Sequence, residues 1–252
     1  MNRTIFITGA SAGFGKACAE RFAANGDRLI LLARRKERLE ALAEELHAKF
    51  KTACHLIVAD VRDQEAVTKA INLLPEEWNQ IDVLINNAGL ALGRDFFEEA
   101  DLSDWNTMID TNVKGLLYVA QAVAKKMSVA KKGHIINIGS IAGTEVYEKG
   151  NVYCATKFAV DAISKAMRID LLRHGIKVTS IHPGAAETEF SLVRFKGDAD
   201  TAKQVYQGFT PLSGADVAEV ACYAANLPEH VCINDLTLTC TQQGSSIHFR
   251  KS

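Results

Sequence analysis

Short apolar runs alternate along the chain with longer amphipathic segments. The runs cover residues 4–8, 29–33, 55–59, 83–85, 134–139, 177–182 and 236–240, and such near-continuous apolar stretches are typical of strands buried on both faces. Between them, apolar residues recur at helical spacing in segments 14–25, 35–50, 63–74, 104–130, 152–173 and 215–226. In the second of these segments, Leu39, Leu42 and Leu46 share one face. The alternation predicts an α/β fold, in which a doubly wound parallel sheet carries helices on both faces.

The composition is that of one globular domain. The 252 residues are 48% hydrophobic and 23% charged, and no repeat or linker-like stretch divides them, so we expect residues 1–252 to form a single domain. The formal net charge is −1 and the basic residues are scattered, which argues against a nucleic-acid partner. No apolar stretch approaches the roughly 18 residues of a membrane span, so we expect no membrane partner.

Cysteine and histidine spacing gives no support for disulfides or for a metal site. The six cysteines form no CxxC pair, and the seven histidines stand apart from one another. The first residues lack the long apolar core and the small-residue cleavage site of a signal peptide, and they suit a first strand better. These features predict reduced cysteines, no metal site and a cytoplasmic location.

A glycine-rich turn follows the first predicted strand and opens the first predicted helix. It carries Gly9, Gly13 and Gly15 in the pattern G-x-x-x-G-x-G, which differs from the general G-x-G-x-x-G dinucleotide fingerprint. Glycines here let a diphosphate approach the helix N-terminus, where free N–H groups and the helix dipole favour an anion. The turn therefore indicates a dinucleotide site, although a glycine-rich turn without a ligand is the alternative.

Two arginines, Arg34 and Arg35, stand at the end of the second predicted strand. An NAD-binding protein has an acidic residue here that binds the ribose hydroxyls, whereas two guanidiniums suit the dianionic 2′-phosphate of NADP. A solvated basic helix start is the alternative, but positive charge in the first turn of a helix opposes its dipole. The two arginines therefore favour NADP as the cofactor.

Tyr153 and Lys157 are four residues apart in a predicted helix and so lie on one face. A nearby ammonium lowers the pKa of a phenol and brings it closer to the range useful for acid–base catalysis. A packed aromatic beside a surface lysine gives the same pattern. Ser140 favours the catalytic interpretation, because it ends a predicted strand and would reach the same cleft. Asn112 is a poor helix former inside a long predicted helix, where a tolerated surface asparagine is the alternative.

These motifs occur together in one order, and over essentially the whole chain they resemble the short-chain dehydrogenase/reductase family. The resemblance is carried by Gly9-x-x-x-Gly13-x-Gly15, Asp60, Asn86-Asn87-Ala88-Gly89, Asn112, Ser140, Tyr153-x-x-x-Lys157 and Pro183-Gly184. It implies a single Rossmann-like domain with a sheet of about seven strands, and an NADP-dependent oxidoreductase acting on CH–OH groups.

The resemblance also implies the catalytic roles. Ser140 would hydrogen-bond the substrate oxygen, and Tyr153 would exchange its proton. Lys157 would lower the pKa of Tyr153 and bind the nicotinamide ribose, while Asn112 would help to hold a proton-relay water. No metal takes part in this scheme.

For the cofactor, the resemblance implies that Asp60 contacts the adenine and Asn87 the adenosine side. The full set that we expect to bind NADP is Gly9, Ser11, Gly13, Phe14, Gly15, Arg34, Arg35, Asp60, Val61, Asn87, Ala88, Gly89, Tyr153, Lys157, Pro183, Gly184 and Thr188.

Four segments are similar to the NADP-dependent 3-hydroxy-acid dehydrogenase branch, whose members oxidise serine and related acids or reduce malonic semialdehyde. They are residues 86–93 (NNAGLALG), 188–190 (TEF), 193–198 (VRFKGD) and the tail 233–243. The chain departs from the branch at Glu145 and Val146, where bulkier apolar residues are expected. It also departs in segment 183–188, which is one residue shorter than expected. Both departures are expected to border the substrate pocket.

We therefore expect hydride transfer between NADP(H) and a small alcohol/carbonyl substrate, namely a 3-hydroxy acid such as serine or the corresponding semialdehyde. A 3-oxoacyl or other carbonyl reductase of the same family is the alternative. A non-catalytic nucleotide-sensing protein is the least favoured, because the four catalytic residues are all present. The resemblance further implies a homotetramer packed through the predicted helices 104–130 and 152–173.

A substrate carboxylate needs a cation, because a closed pocket cannot bury a charge unpaired without a large desolvation cost. We expect this cation in a lid formed by residues 184–212. Arg194 is the first candidate for the substrate site, beside Ser140 and Tyr153, because its planar fork matches a carboxylate. Lys196 is the second candidate.

Overall fold

Seven parallel strands form the centre of the protein. The computed structural model describes residues 3–251. The strands are β1 (Thr4–Thr8), β2 (Arg28–Ala33), β3 (Cys54–Val58), β4 (Val83–Asn86), β5 (Gly133–Ile138), β6 (Ile176–Pro183) and β7 (Asp235–Leu238). They lie in the order β3-β2-β1-β4-β5-β6-β7, and each neighbouring pair is parallel. The predicted Rossmann-like α/β fold is confirmed.

Helices cover both faces of the sheet, which explains why the strands are apolar along their length. The α-helices are α1 (Gly13–Ala24), α2 (Lys36–Phe50), α3 (Gln64–Asn72), α4 (Leu102–Ile109), α5 (Leu116–Ala130), α6 (Asn151–Leu171), α7 (Glu189–Arg194), α8 (Ala199–Gln204) and α9 (Gly214–Asn226). Alternate residues of β1 point to opposite faces. Ile5 and Ile7 join a buried cluster with α1, α2 and α9, whereas Phe6 joins a second cluster with α3, α5 and the end of α6.

The strands and long helices predicted from the sequence are found with ends shifted by no more than two residues. The predicted helix 104–130 differs in kind, because it contains a π-helical segment, Asp110–Gly115, between α4 and α5. Such a segment marks an extra residue in the helix and widens the turn locally.

The segment that connects β6 to α9 contains the two short helices α7 and α8, which the sequence analysis did not predict. The hydroxyl of Tyr206 lies 2.6 Å from that of Ser191 and donates to the carbonyl oxygen of Ala186 at 2.8 Å, which ties the segment together. The ammonium of Lys196 lies 2.8 Å from the carboxylate of Asp104 in α4. These contacts hold α7 over the carboxyl edge of the sheet.

Residues 241–251 fold back as a hairpin-like tail against the same connecting segment. An isolated antiparallel bridge pairs Gln243 with Phe249. The side-chain oxygen of Gln243 accepts a hydrogen bond from the backbone N–H of Ala185 at 2.8 Å, and the Phe249 ring lies 4.7 Å from that of Phe209. The tail therefore covers residues that the sequence places far from it.

The six cysteines are free thiols. Burial raises the pKa of Cys18 to about 12, which keeps this thiol protonated at neutral pH. Within residues 3–251, no helix combines the length and the apolar character needed to cross a membrane.

Candidate active site

A cavity of about 1080 Å³ opens at the carboxyl ends of β1, β2, β4, β5 and β6. This is the edge of a doubly wound sheet at which ligands bind. The cavity wall contains the residues predicted for catalysis, cofactor and substrate, with the exception of Gly15, Asn112 and the second substrate candidate, Lys196. One space therefore brings together predicted residues that lie up to 185 positions apart in the chain, from Gly9 to Arg194.

The glycine-rich turn is packed too closely to admit larger side chains. A Cβ on Gly15 would lie 2.3 Å from the carbonyl oxygen of Gly9, and Gly9 itself has a φ of +66°. Asn87 supports the turn from the end of β4, since its side-chain amide donates to the carbonyl oxygen of Thr8 at 2.9 Å. Because the turn leads directly into α1, the N-terminus of that helix can receive an anionic group.

Arg34 and Asp60 lie together at the ends of β2 and β3, with 3.6 Å between the guanidinium and the carboxylate. Arg62 also donates to Asp60, at 2.7 Å. Partial burial alone would raise the pKa of Asp60, but the hydrogen bonds from Arg62 outweigh it and hold this pKa below its usual value. Asp60 is therefore a carboxylate that already has cationic partners, while the guanidinium of Arg34 remains largely exposed to the cavity.

Arg35 lies at the start of α2 and donates to the hydroxyl of Ser11 at 3.1 Å. One helical turn further on, Arg38 reaches the same place. Both guanidiniums donate to the carboxylate of Glu189 from α7, at 3.2 Å for Arg35 and 2.7 Å for Arg38. Arg38 was not predicted from the sequence, although its i, i+3 spacing from Arg35 was a signal that the two side chains meet.

Ser140, Tyr153 and Lys157 meet on the cavity wall. Ser140 lies two residues after the end of β5, and Tyr153 and Lys157 lie one turn apart on α6, both buried. The Lys157 ammonium is 6.0 Å from the centre of the Tyr153 ring and donates to the carbonyl oxygen of Ile138 at 3.0 Å. The predicted hydroxyl, phenol and ammonium are thus brought to one side of the cavity.

The pKa of the Tyr153 phenol is raised, and burial is the main cause. The neighbouring Tyr147 raises it further, whereas the Ser140 hydroxyl and the charge of Arg194 act in the opposite direction but more weakly. Lys157 is not among these influences, so its predicted lowering of this pKa stays a prediction. Burial lowers the pKa of Lys157 itself to about 8. Because its own pKa is raised, Tyr153 is protonated at neutral pH and able to donate its phenolic proton.

Asn112 lies in the π-helical segment and is buried. Its amide nitrogen donates to the carbonyl oxygen of Leu90 at 2.8 Å and to the hydroxyl of Thr156 at 3.1 Å, and its amide oxygen accepts from the N–H of Leu90, also at 2.8 Å. The side chain thus fastens the loop after β4 to α6 and is not a surface residue. Its part in holding a relay water stays a prediction.

Comparison with known proteins agrees with this geometry. A family model described as short chain dehydrogenase matches residues 3–198. The chain belongs to the short-chain dehydrogenase family. The predicted family and the predicted enzyme class are thereby confirmed.

Relatives of this short-chain dehydrogenase match over nearly their whole length. The sulfoacetaldehyde reductase of Chromohalobacter salexigens is 47% identical over 247 residues, which cover 98% of this chain and 97% of that protein. The NADP-dependent 3-hydroxy acid dehydrogenase of Salmonella typhimurium is 46% identical over 248 residues, covering 97% of this chain and 98% of that protein. The solved closed form of a serine dehydrogenase complexed with NADP⁺ shares 43% identity with a TM-score of 0.92, covering 99% of this chain and 100% of that one.

In this short-chain dehydrogenase, Arg194 ends α7 and extends into the cavity. Its guanidinium lies 5.5 Å from the centre of the Tyr153 ring and 5.6 Å from that of Tyr147. Its Nε also donates to the carbonyl oxygen of Gly93, in a long hydrogen bond of 3.4 Å. Glu189, at the other end of α7, binds Arg35 and Arg38. The cation predicted for the substrate thus lies beside the predicted proton donor.

Two other sequence-based expectations about the pocket are wrong. Lys196 has a left-handed backbone, with a φ of +53°, and its ammonium pairs with Asp104 outside the cavity wall. Glu145 does not border the pocket, because its carboxylate turns toward the tail and accepts from the N–H of Ser246 at 2.7 Å. Val146 is 69% exposed and also lies outside the wall. The carboxylate of Glu145 is therefore engaged by a hydrogen bond from the tail.

The structure adds wall residues that the sequence analysis did not single out. Tyr147 and Phe190 lie next to Tyr153, with the Phe190 ring 5.6 Å from the Tyr153 ring, and the tail contributes Ser246, Ile247, Phe249 and Lys251. Sequence spacing placed Tyr147 only six residues before Tyr153, which was a usable signal. No local pattern brings the tail to the active site, because its position depends on long-range packing.

A histidine and two carboxylates lie together outside the cavity. The ring nitrogen of His182 is 3.9 Å from Asp161 and 3.8 Å from Asp235, and these two carboxylates are also paired with Lys165 and Arg168, respectively. Because both carboxylates already have cationic partners, a divalent ion would add positive charge to a neutral cluster. We keep the prediction that this chain needs no metal.

Burial of the Lys157 ammonium is expected to reduce stability at neutral pH. With a pKa of about 8 in the fold against an ordinary 10.5, its charged form is disfavoured by about 3 kcal/mol below pH 8. Above pH 8 the folded protein loses this proton before the unfolded chain does, so stability rises until about pH 10.5. The free energy of unfolding of the wild type should therefore rise over this range relative to Lys157→Met. Urea unfolding at pH 7 to 10 measures the difference in the free energy of unfolding between the wild type and Lys157→Met, with exposed Lys36→Met as the control. A difference for Lys157→Met that does not change with pH would contradict the burial of the charged ammonium.

Proposed function

We propose that the chain is an NADP-dependent oxidoreductase acting on a small 3-hydroxy acid, such as serine, and on the corresponding semialdehyde. The observation that carries this proposal is the position of Arg194, whose guanidinium lies 5.5 Å from the Tyr153 ring in the cavity that also holds Ser140 and Lys157. A substrate whose hydroxyl lies at the Tyr153 phenol and whose anionic group is two carbons away would direct that group toward Arg194. The 3-hydroxy acid dehydrogenase and the serine dehydrogenase among its relatives support the same substrate class.

The cavity fits NADP. The glycine-rich turn leaves no room for a Cβ at Gly15, as a turn that a diphosphate approaches requires. The guanidiniums of Arg34, Arg35 and Arg38 supply the positive charge that a 2′-phosphate needs. We propose that the cofactor is held by Gly9, Ser11, Gly13, Phe14, Gly15, Arg34, Arg35, Asp60, Val61, Asn87, Ala88, Gly89, Tyr153, Lys157, Pro183, Gly184 and Thr188.

When bound, the nicotinamide ring supplies the acceptor or donor of the hydride. The residues of this chain position the substrate and move its proton. Ser140 and Tyr153 hold the substrate oxygen, and Tyr153 donates its phenolic proton when a carbonyl is reduced. Its raised pKa keeps that proton in place until the reaction needs it. In the direction of oxidation a positive charge near the phenol favours the phenolate, and Lys157 and Arg194 supply such charges.

Arg194 is expected to bind the substrate anion. Replacing it with alanine should lower kcat/KM for a 3-hydroxy acid by about tenfold to a hundredfold, because a charge-assisted hydrogen bond is worth about 1.5–3 kcal/mol. The uncharged methyl ester of the same acid should lose little. The measurement is kcat/KM for both compounds, followed by NADPH absorbance.

Lys196→Ala is the matched control for this experiment. It removes a cation two residues away that pairs with Asp104 outside the cavity wall. The ratio of acid to ester activity should stay at its wild-type value in this control. Equal losses for acid and ester in Arg194→Ala would mean that Arg194 shapes the segment and does not bind the charge.

A sulfonated aldehyde is a second candidate substrate, because the planar fork of Arg194 binds a sulfonate as well as a carboxylate. The 47% identical sulfoacetaldehyde reductase supports this class. A panel of 3-hydroxy acids, sulfoacetaldehyde and β-keto esters, each assayed with NADPH or NADP⁺, separates the candidates. Preference for the neutral esters would favour the carbonyl reductase alternative and would contradict the anionic substrate.

We propose that residues 1–252 act as one catalytic domain with residues 184–212 as its lid, and that the enzyme is a cytoplasmic homotetramer. The long helices support an assembly, because α5 and α6 expose apolar side chains, among them Leu117, Phe158 and Ile169. Free cysteines are compatible with a reducing compartment. Sedimentation equilibrium of the purified chain tests the assembly, and a monomeric mass would contradict it.

A further inference from the structure

Glu189, at the start of α7, lies between the guanidiniums of Arg35 and Arg38. One carboxylate oxygen lies 2.7 Å from Nη1 of Arg38, and the other lies 3.0 Å from the same nitrogen and 3.2 Å from Nη1 of Arg35. Partial burial alone would raise the pKa of Glu189, but these hydrogen bonds outweigh it and hold the pKa below its usual value. The carboxylate is therefore ionised at neutral pH and pairs with two guanidiniums.

These guanidiniums are also the groups that would bind the 2′-phosphate of NADP, so the inference rests on the proposed function. A 2′-phosphate carries close to two negative charges and takes the same charge-assisted hydrogen bonds from arginine. Two anions cannot share one pair of guanidiniums without strong repulsion at contact distance. Glu189 and the 2′-phosphate therefore compete for Arg35 and Arg38.

Asp60 is not an equivalent competitor, although it also pairs with an arginine of the proposed 2′-phosphate site, Arg34. It is held by three hydrogen bonds from the Arg62 guanidinium, and its 3.6 Å pair with Arg34 is longer than those of Glu189 with Arg38. Glu189, in contrast, sits on the short helix α7, in the connecting segment between β6 and α9. Of these two carboxylates, Glu189 is the one that can withdraw without disturbing a strand end.

We propose that Glu189 is a specificity-determining residue that acts as a built-in competitor of the 2′-phosphate. It pairs with Arg35 and Arg38 in the cofactor-free protein, and NADP(H) displaces it. NAD(H) has no 2′-phosphate and leaves the pair intact. Glu189 therefore reduces the affinity for NADP(H) without a comparable effect on NAD(H).

The test uses direct binding, which does not depend on turnover. NADPH and NADH are titrated into the purified full chain, and binding is followed by the fluorescence of the reduced nicotinamide. Glu189→Gln should bind NADPH about three- to tenfold more tightly than the wild type, since exposed ion pairs are worth about 0.2–1 kcal/mol each and two of them no longer have to break. Its affinity for NADH should stay within about twofold of the wild-type value, because no anion replaces the pair.

Glu187→Gln is the matched control. It makes the same change in net charge two residues away, on an exposed side chain that does not line the cavity. The pairs that Arg35 and Arg38 make with Glu189 stay intact in this variant, so it should bind NADPH like the wild type. Equal tightening in the control would show a general effect of net charge and would overturn the proposal.

Other results also decide the question. Unchanged or weaker binding of NADPH by Glu189→Gln overturns the proposal, as does weaker binding of NADH, which would mean that Glu189 contacts the ribose hydroxyls. A wild type that binds NADH as tightly as NADPH would instead refute the proposed cofactor. The two failures are thus distinguishable, because the first compares variants and the second compares cofactors on the unaltered protein.

Discussion

Replacing Tyr153 with phenylalanine is expected to lower kcat by about 10²- to 10⁴-fold, the usual contribution of a positioned acid–base group. The phenol is buried beside Ser140 and Arg194 and is protonated at neutral pH, so its removal takes away the group placed to exchange a proton with the substrate. NADPH affinity should stay close to that of the wild type, because the ring remains and the phosphate-binding residues are untouched. The measurements are kcat with saturating substrates and the Kd of NADPH.

Tyr147→Phe is the control for this variant. It deletes the same hydroxyl from a tyrosine in the same cavity wall, whose ring lies 5.6 Å from the Arg194 guanidinium. Its hydroxyl interacts with Arg194, so we expect a change in KM much larger than any change in kcat. If Tyr153→Phe keeps near-normal turnover, or if both variants lose kcat equally, Tyr153 is not the proton-transfer group.

The combined substitution of Arg34 by aspartate and Arg35 by serine is expected to shift cofactor preference from NADP toward NAD. The ratio of kcat/KM for NADP to that for NAD should fall by about a hundredfold or more, since each lost charge-assisted hydrogen bond is worth about 1.5–3 kcal/mol. Most of the change should lie in the NADP value. Because Arg38 reaches the same place, adding Arg38→Ala should lower the ratio further.

Lys36→Ser is the matched control for the arginine variants. It removes a cation from the same first turn of α2, but its ammonium pairs with Glu40 and does not line the cavity. The cofactor ratio should remain at its wild-type value in this control. Retention of the original ratio in the double and triple variants would show that other residues select the cofactor.

The fold could be predicted because its signals are local. Each strand of the parallel sheet is a short apolar run, as in β1, where all five residues are buried, and turn residues separate the runs from amphipathic helices. The same reasoning brought Ser140 and Tyr153 to one edge, because the carboxyl ends of parallel strands meet there. The short helices α7 and α8 were missed, since six residues each give too little periodicity to recognise.

Other features of the site depend on contacts that the sequence does not reveal. The pairing of Arg38 with Glu189 joins residues 151 positions apart, and Phe249 of the tail reaches the cavity by packing on Phe209. The raised pKa of Tyr153 follows from burial, which the residue types and their spacing do not quantify. These properties emerge from tertiary packing, and they are the ones that the sequence-based expectations left out.

The π-helical segment Asp110–Gly115 determines how two halves of one long helix are rotated against each other. Each residue of an α-helix turns the chain by about 100°, so one extra residue changes the angular phase of everything that follows it. With the extra residue present, Met108 packs in the cluster around Tyr153, while Val119 and Val123 pack against the sheet. Deleting a single residue between them would make the helix regular and would turn one of these two faces away from its partner. The length of this segment, more than the identity of most of its residues, therefore aligns the catalytic wall with the sheet.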